Sequence, residues 1–227
     1  MRYEFLMVTF ILLSVFTACN NSKRKEKTPK ESIEITQPID TTKSFRIDGL
    51  WTTPKSNFEF SSWKENLDTL FLVTCSDFVY SPFGEMKEKT DLLKSNLKNF
   101  KIKDRIEKQE NGEFEFQELT LKSSRLILFF DNDPEASRHS YIFKGEIFDK
   151  DVKFNQDIKI GMNKDNFIMT FFDRFPTKIS TKYQCIVLES CVQDIKHIYS
   201  FRNNELESIK FSTDSYWTVN YEQKTTP

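Results

Sequence analysis

From residue 45 onward, apolar and polar positions alternate over most of the chain. Phe45 and Ile47 share a parity, Trp51, Phe58, Phe60 and Trp63 punctuate polar residues, and 69–80 is an apolar, β-branched run; these patterns predict strands. Met86, Thr90, Leu93, Leu97 and Phe100 recur at three- and four-residue spacing and predict a helix over 81–100. Strands at 102–108 and 113–121 flank Asn111-Gly112, a hairpin signal because both positions tolerate positive φ. Two more strands, 124–130 and 140–148, are joined by Asp131-Asn132-Asp133-Pro134-Glu135. Val152, Phe154, Ile158 and Ile160 share a parity and predict a half-buried strand over 152–160.

A second helix starts at Asn163, a natural cap, carries the stripe Phe167, Phe171 and Phe175, and ends before Pro176, with Lys164 expected on its polar side. Strands at 182–189, 195–201, 206–211 and 216–222 complete the chain, with a turn at Arg202-Asn203-Asn204-Glu205. Their short connections predict antiparallel pairing. The expected fold is therefore α+β, with antiparallel sheets and one or two helices on one face. Residues 45–152 form one β-rich unit with a helix and 153–227 a second. The approach to Gly84 parallels the approach to Gly161, which suggests a tandem helix-plus-sheet repeat.

Residues 1–44 have a different texture. Arg2 precedes an apolar run from Phe5 to Phe16, followed by Thr17-Ala18-Cys19, and this resembles the signal peptide and lipobox of bacterial lipoproteins. A transmembrane span needs roughly 20 apolar residues, more than this run supplies. The resemblance implies cleavage after residue 18, lipid on Cys19 and anchorage to a membrane. Asn20 is not a retention Asp, so outer-membrane placement, periplasm-facing or surface-exposed, is implied as well. Residues 20–44 are polar, with Pro29, Pro38 and the basic cluster Lys23-Arg24-Lys25, and read as a tether.

Composition narrows the partners. The chain has 30% charged and 38% hydrophobic residues with 23 Phe, a globular balance with a Phe-dominated core. A net charge of -1 argues against nucleic acid as a partner. With Cys19 lipidated, Cys75, Cys185 and Cys191 are an odd set facing an oxidising envelope, so at most one internal pair can form. A Cys185–Cys191 pair requires a turn between them, and no turn is signalled before Ser190; a buried thiol is expected at Cys75.

Candidate chemistry is sparse. Asp131 and Asp133 could open a calcium loop, but Ala136 and Ile142 stand where an EF-hand needs Gly and Glu, so no metal is assigned and no cofactor is implied. His139 adjoins a turn, and His197 lies in an alternating strand near Cys191, a thiol pairing that geometry alone can decide. Without a positioned base or nucleophile, no enzyme is expected.

Ile158-Lys159-Ile160-Gly161-Met162-Asn163, the capped helix, the Pro and the strands with Tyr199-Ser200-Phe201 and Leu206-Glu207-Ser208-Ile209-Lys210-Phe211 form an ordered set. That set resembles the BamE (SmpA/OmlA) lipoprotein family and the related fold of the β-lactamase inhibitor protein. One clear helix replaces two, and Asn163 replaces the usual hydroxyl cap. The resemblance implies a non-catalytic outer-membrane lipoprotein that docks an envelope protein as a binding or scaffold module. Trp217 and Tyr221 share one face of the last predicted strand and Tyr216 the other; all three are the expected partner-binding anchors. The alternative is a lipocalin-like binder of a small apolar ligand, from the resemblance of Gly49-Leu50-Trp51 to the Gly-x-Trp of such barrels.

Overall fold

The computed structural model describes residues 39–109, 112–130, 140–192 and 194–213. Cys19, residues 20–38 of the tether, Asn111, the acidic loop from Asp131, His139, and Tyr216, Trp217 and Tyr221 lie outside them.

Among the described residues twelve strands are formed: β1 (Phe45–Ile47), β2 (Leu50–Pro54), β3 (Phe60–Asn66), β4 (Thr69–Thr74), β5 (Lys101–Gln109), β6 (Gly112–Leu121), β7 (Ser124–Phe129), β8 (Ile142–Ile147), β9 (Phe172–Arg174), β10 (Cys185–Ser190), β11 (Ile195–Arg202) and β12 (Glu205–Thr213). Three short helices accompany them: α1 (Asp77–Tyr80), α2 (Lys164–Phe171) and α3 (Thr177–Ser180). The protein is thus richer in sheet than expected. β1, β2 and β9 make a small antiparallel sheet, and the other nine strands make one sheet in the order β3-β4-β10-β11-β12-β8-β7-β6-β5. Strands from both predicted units share that sheet, because β4 pairs with β10 and β12 with β8. Its edges are β3 and β5, so among the described residues it does not close into a barrel.

The expectation of purely antiparallel sheets is corrected at one pair: β4 and β10 run parallel, from Thr69↔Cys185 to Thr74↔Ser190. A parallel pair needs a long crossover, here supplied by all the chain between them. Elsewhere turn chemistry sets the hairpins. Asp48 and Gly49 both have positive φ and close the two-residue turn between β1 and β2, and Asn203 and Asn204 do the same between β11 and β12. Gly49 is therefore a hairpin residue ahead of a strand in the small sheet, and Trp51 lies half-buried under the Arg46 guanidinium at 4.6 Å.

Two element predictions fail for one physical reason. The helix expected over 81–100 is α1 before it, a 3-10 turn at Lys89–Lys94, and irregular chain between and after. Pro82 and Gly84, with φ of +102°, break the path, yet Met86, Leu92, Leu97 and Phe100 are buried while Leu93 is exposed. The strand expected over 152–160 is unpaired chain with a 3-10 turn at Asn155–Asp157, although Val152, Phe154, Ile158 and Ile160 are all buried. In both, apolar spacing records contact with the core and not a regular backbone. Tyr141 secures the first wrap: its hydroxyl donates to the Gly84 carbonyl at 2.9 Å and accepts from Phe83 N–H at 3.2 Å.

The second helix forms as α2, capped by the Asn163 carboxamide, which accepts from Asp165 N–H at 2.9 Å. It is shorter than expected. Phe172 already belongs to β9, and Phe175 packs on the core from outside the helix. The core lies between one face of the nine-stranded sheet and a cover of α1, α2, α3, the small sheet and the wrapping segments. Leu70, Leu72, Ile186, Leu188, Tyr199 and Ile209 line the sheet side of it.

Candidate functional site: the second face of the sheet

Because side chains alternate along a strand, the neighbours of those core residues point to the other face. There Val187 lies between Phe71 and Ile198 in register, forming an apolar strip across β4, β10 and β11. Charge frames the strip. Lys64 sits over the Phe71 ring at 4.5 Å, Glu189 approaches Lys64 at 4.0 Å and Lys196 at 3.9 Å, and Lys210 approaches Glu146 at 3.8 Å. Such exposed pairs contribute about 0–1 kcal/mol each to stability, so their significance is the pattern they present. Further along the same face, Phe116, Ile127 and Phe143 form a second buried cluster with Phe114 and Phe129 packed against it.

Cys185 lies on this face as a free, half-buried thiol. Burial pushes its pKa up, against a lowering hydrogen bond with Thr69 and with Asp68 adding to the rise, so it is held as thiol and is a poor nucleophile. The thiol expected at Cys75 is corrected: Cys75 and Cys191 form a disulfide with Cα atoms 5.2 Å apart. They directly follow Thr74 and Ser190, the last partners of the parallel pair. The pairing was not legible because nothing local signals that β4 and β10 are neighbours.

That disulfide removes Cys191 as a partner for His197, which lies within the core. Its ring packs among Phe78 and Phe211, Nδ1 is 3.3 Å from the Tyr199 hydroxyl, and burial pushes its pKa down to about 3. A neutral histidine in the fold and an ordinary one, near 6.5, in the unfolded chain make stability fall as pH drops from about 6.5 towards 3. At pH 5 the loss relative to a non-titrating His197→Gln variant is expected to be about 2 kcal/mol. Urea melts of both proteins at pH 7.5 and 5 measure it, and parallel pH slopes would refute it.

A shallow depression of about 540 Å³ opens at the α2 amino end, lined by Lys164, Asp165, Gln184, Phe201 and Arg202 among others. Lys164 does not lie on a polar surface as expected but is 3% exposed, because the β11–β12 turn closes over the helix start. Its Nζ donates to the Tyr183 carbonyl at 2.8 Å, and burial lowers its pKa against the opposing pull of Asp165. The arrangement ties α2 to the entry of β10. Lys164→Ala leaves that carbonyl without its donor and is expected to cost about 1–3 kcal/mol in urea melts, against roughly 0.5 for a surface site.

Among the described residues, no cluster of three or more His, Cys, Asp or Glu side chains has a geometry for a metal ion. Compared with known protein families, curated proteins and solved structures, the chain matches none.

Proposed function

We propose that the protein is a non-catalytic lipoprotein of the outer membrane, anchored through Cys19, that docks an envelope protein on the second face of its large sheet. The observation that carries this reading is the strip of Phe71, Val187 and Ile198, apolar and framed by charges of both signs, on the face opposite a fully packed core. Mixed charge around an apolar centre suits a protein surface, whereas nucleic acid would call for a basic face. The Cys75–Cys191 disulfide supports an oxidising compartment, as do the lipobox and the resemblance to BamE-like lipoproteins.

Two experiments test it. Cys19→Ala should abolish incorporation of a fatty-acid probe and leave unprocessed precursor; normal labelling would overturn the anchor. Phe71→Asp and Ile198→Asp should retain the urea midpoint to within about 1 kcal/mol of stability and lose a partner cross-linked in intact envelopes. Leu93→Asp, at an exposed position away from the strip, should keep that partner. Loss with all three variants, or with none, would overturn the site.

A further inference from the structure

Of the two edges that the large sheet has among the described residues, β5 is the less protected. It runs from Lys101 to Gln109 in unbroken register with β6, without a proline or a bulge. The other edge, β3, has an irregular register between Phe60 and Ser62, its Trp63 is stacked on Phe45 of the small sheet at 4.1 Å, and its Glu65 is held by Lys182 at 2.7 Å. A long, regular edge strand presents a row of backbone donors and acceptors that templates another strand, and charge is the device β5 has left to refuse one.

That charge is self-complementary. When two β5 strands are laid antiparallel about an axis at Ile106, Ile106 opposes its own copy, Asp104 opposes Lys108, Arg105 opposes Glu107 and Lys103 opposes Gln109. Two-fold symmetry forms each unlike pair twice. Neighbouring registers lack this property: an axis at Arg105 or at Glu107 opposes that residue to itself, and an axis half a residue to either side of Ile106 opposes Asp104 to Glu107 or Arg105 to Lys108. Like charges directly opposite each other are destabilising, so the pattern selects the axis.

Exposure agrees with it. Ile106 is 62% exposed, whereas Ile102, on the same face of the strand, packs against the core. Asp104 and Lys108 flank Ile106 on that face with side chains 49% and 81% exposed, so their contacts to Lys89 at 2.6 Å and to Glu113 at 2.7 Å are surface pairs that exchange at little cost. We infer that the protein forms a two-fold dimer in which β5 pairs antiparallel with β5 of a second copy about Ile106, joining the two nine-stranded sheets into one. On the opposite face Arg105 and Glu107 already meet at 2.9 Å within one chain, and the second copy completes a ring of four alternating charges. The inference does not rest on the docking reading. The strip around Val187 belongs to β4, β10 and β11, at the far end of the strand order, and the dimer leaves it untouched.

The test is oxidative cross-linking of the full chain in intact cells, in a Cys185→Ala background that removes the native free thiol among the described residues. Ile106→Cys should give a disulfide-linked dimer of twice the monomer mass, because directly opposed residues have Cα atoms about 4.5–5.5 Å apart, within the reach of a disulfide. Lys101→Cys, on the same strand but ten positions out of register with its copy and so roughly 34 Å from it, should stay monomeric. Leu67→Cys, 87% exposed at the β3–β4 turn, should stay monomeric too. Adding Lys108→Glu to Ile106→Cys opposes two carboxylates and should lower the dimer fraction about tenfold, and adding Asp104→Lys as well should restore it to within about twofold. A monomeric Ile106→Cys would overturn the inference, as would equal cross-linking at all three positions or a product with a chain of different mass. A dimer indifferent to Lys108→Glu, or one that Asp104→Lys does not restore, would overturn it as well.

Discussion

Removing the Cys75–Cys191 bond is expected to destabilise the protein by about 4–5 kcal/mol, one of the two largest effects of any change considered. The two cysteines are 116 positions apart, so the cross-link withdraws a long loop from the unfolded ensemble. It also closes the end of a parallel pair, the arrangement with the greatest entropy of assembly in this sheet, just past the Cys191 N–H bond to the Thr74 carbonyl at 3.1 Å. Urea melts of a Cys75→Ala, Cys191→Ala double variant measure the loss. Reductant should bring the wild-type midpoint down to that of the double variant and leave the variant itself unmoved. Cys185→Ala, at a free and half-buried thiol, should change little. A wild-type midpoint indifferent to reductant would show that the bond does not form.

The same cross-link marks the boundary of what the sequence makes legible. Turn chemistry is local, so Arg202-Asn203-Asn204-Glu205 announced its hairpin, and the capped start at Asn163 announced its helix. Contact between β4 and β10 depends on everything folded between them and leaves no local trace. Apolar spacing misled in the opposite way. Met86, Leu97 and Phe100 are spaced as on a helix face because the core selects them, while Pro82 and Gly84 deny the backbone that helix. Lys164 reads as a surface residue from its own helix and is buried by a turn forty residues further on, through the Asn204 carbonyl that accepts its backbone N–H at 2.9 Å. Of the candidate site, the strand character of β4, β10 and β11 was legible, with alternation only around His197, but β4 and β10 are near-continuous apolar runs, and which of their faces is covered depends on the wrapping segments.

Phe171→Ala is the second large effect, with an expected loss of about 3–5 kcal/mol. The ring is buried where three segments of the cover meet: its centroid lies 4.9 Å from Phe58, 5.7 Å from Phe78 and 5.2 Å from Phe167. Phe58 follows β2, Phe78 belongs to α1 and Phe167 to α2 itself, so no single element can shift to fill the space without disturbing the other two. Rigid surroundings of this kind put the cost in the upper part of the usual range, because the cavity term adds to the lost transfer term. Phe167→Ala should behave alike, since that ring packs on Tyr199 at 4.6 Å and on Phe201 at 5.2 Å. Met169 lies between them on the same helix but is 42% exposed, and Met169→Ala should stay within roughly 0.5 kcal/mol. Urea melts of the three variants decide the matter: comparable losses at Met169 and Phe171 would mean that the face α2 turns to the core has been misassigned.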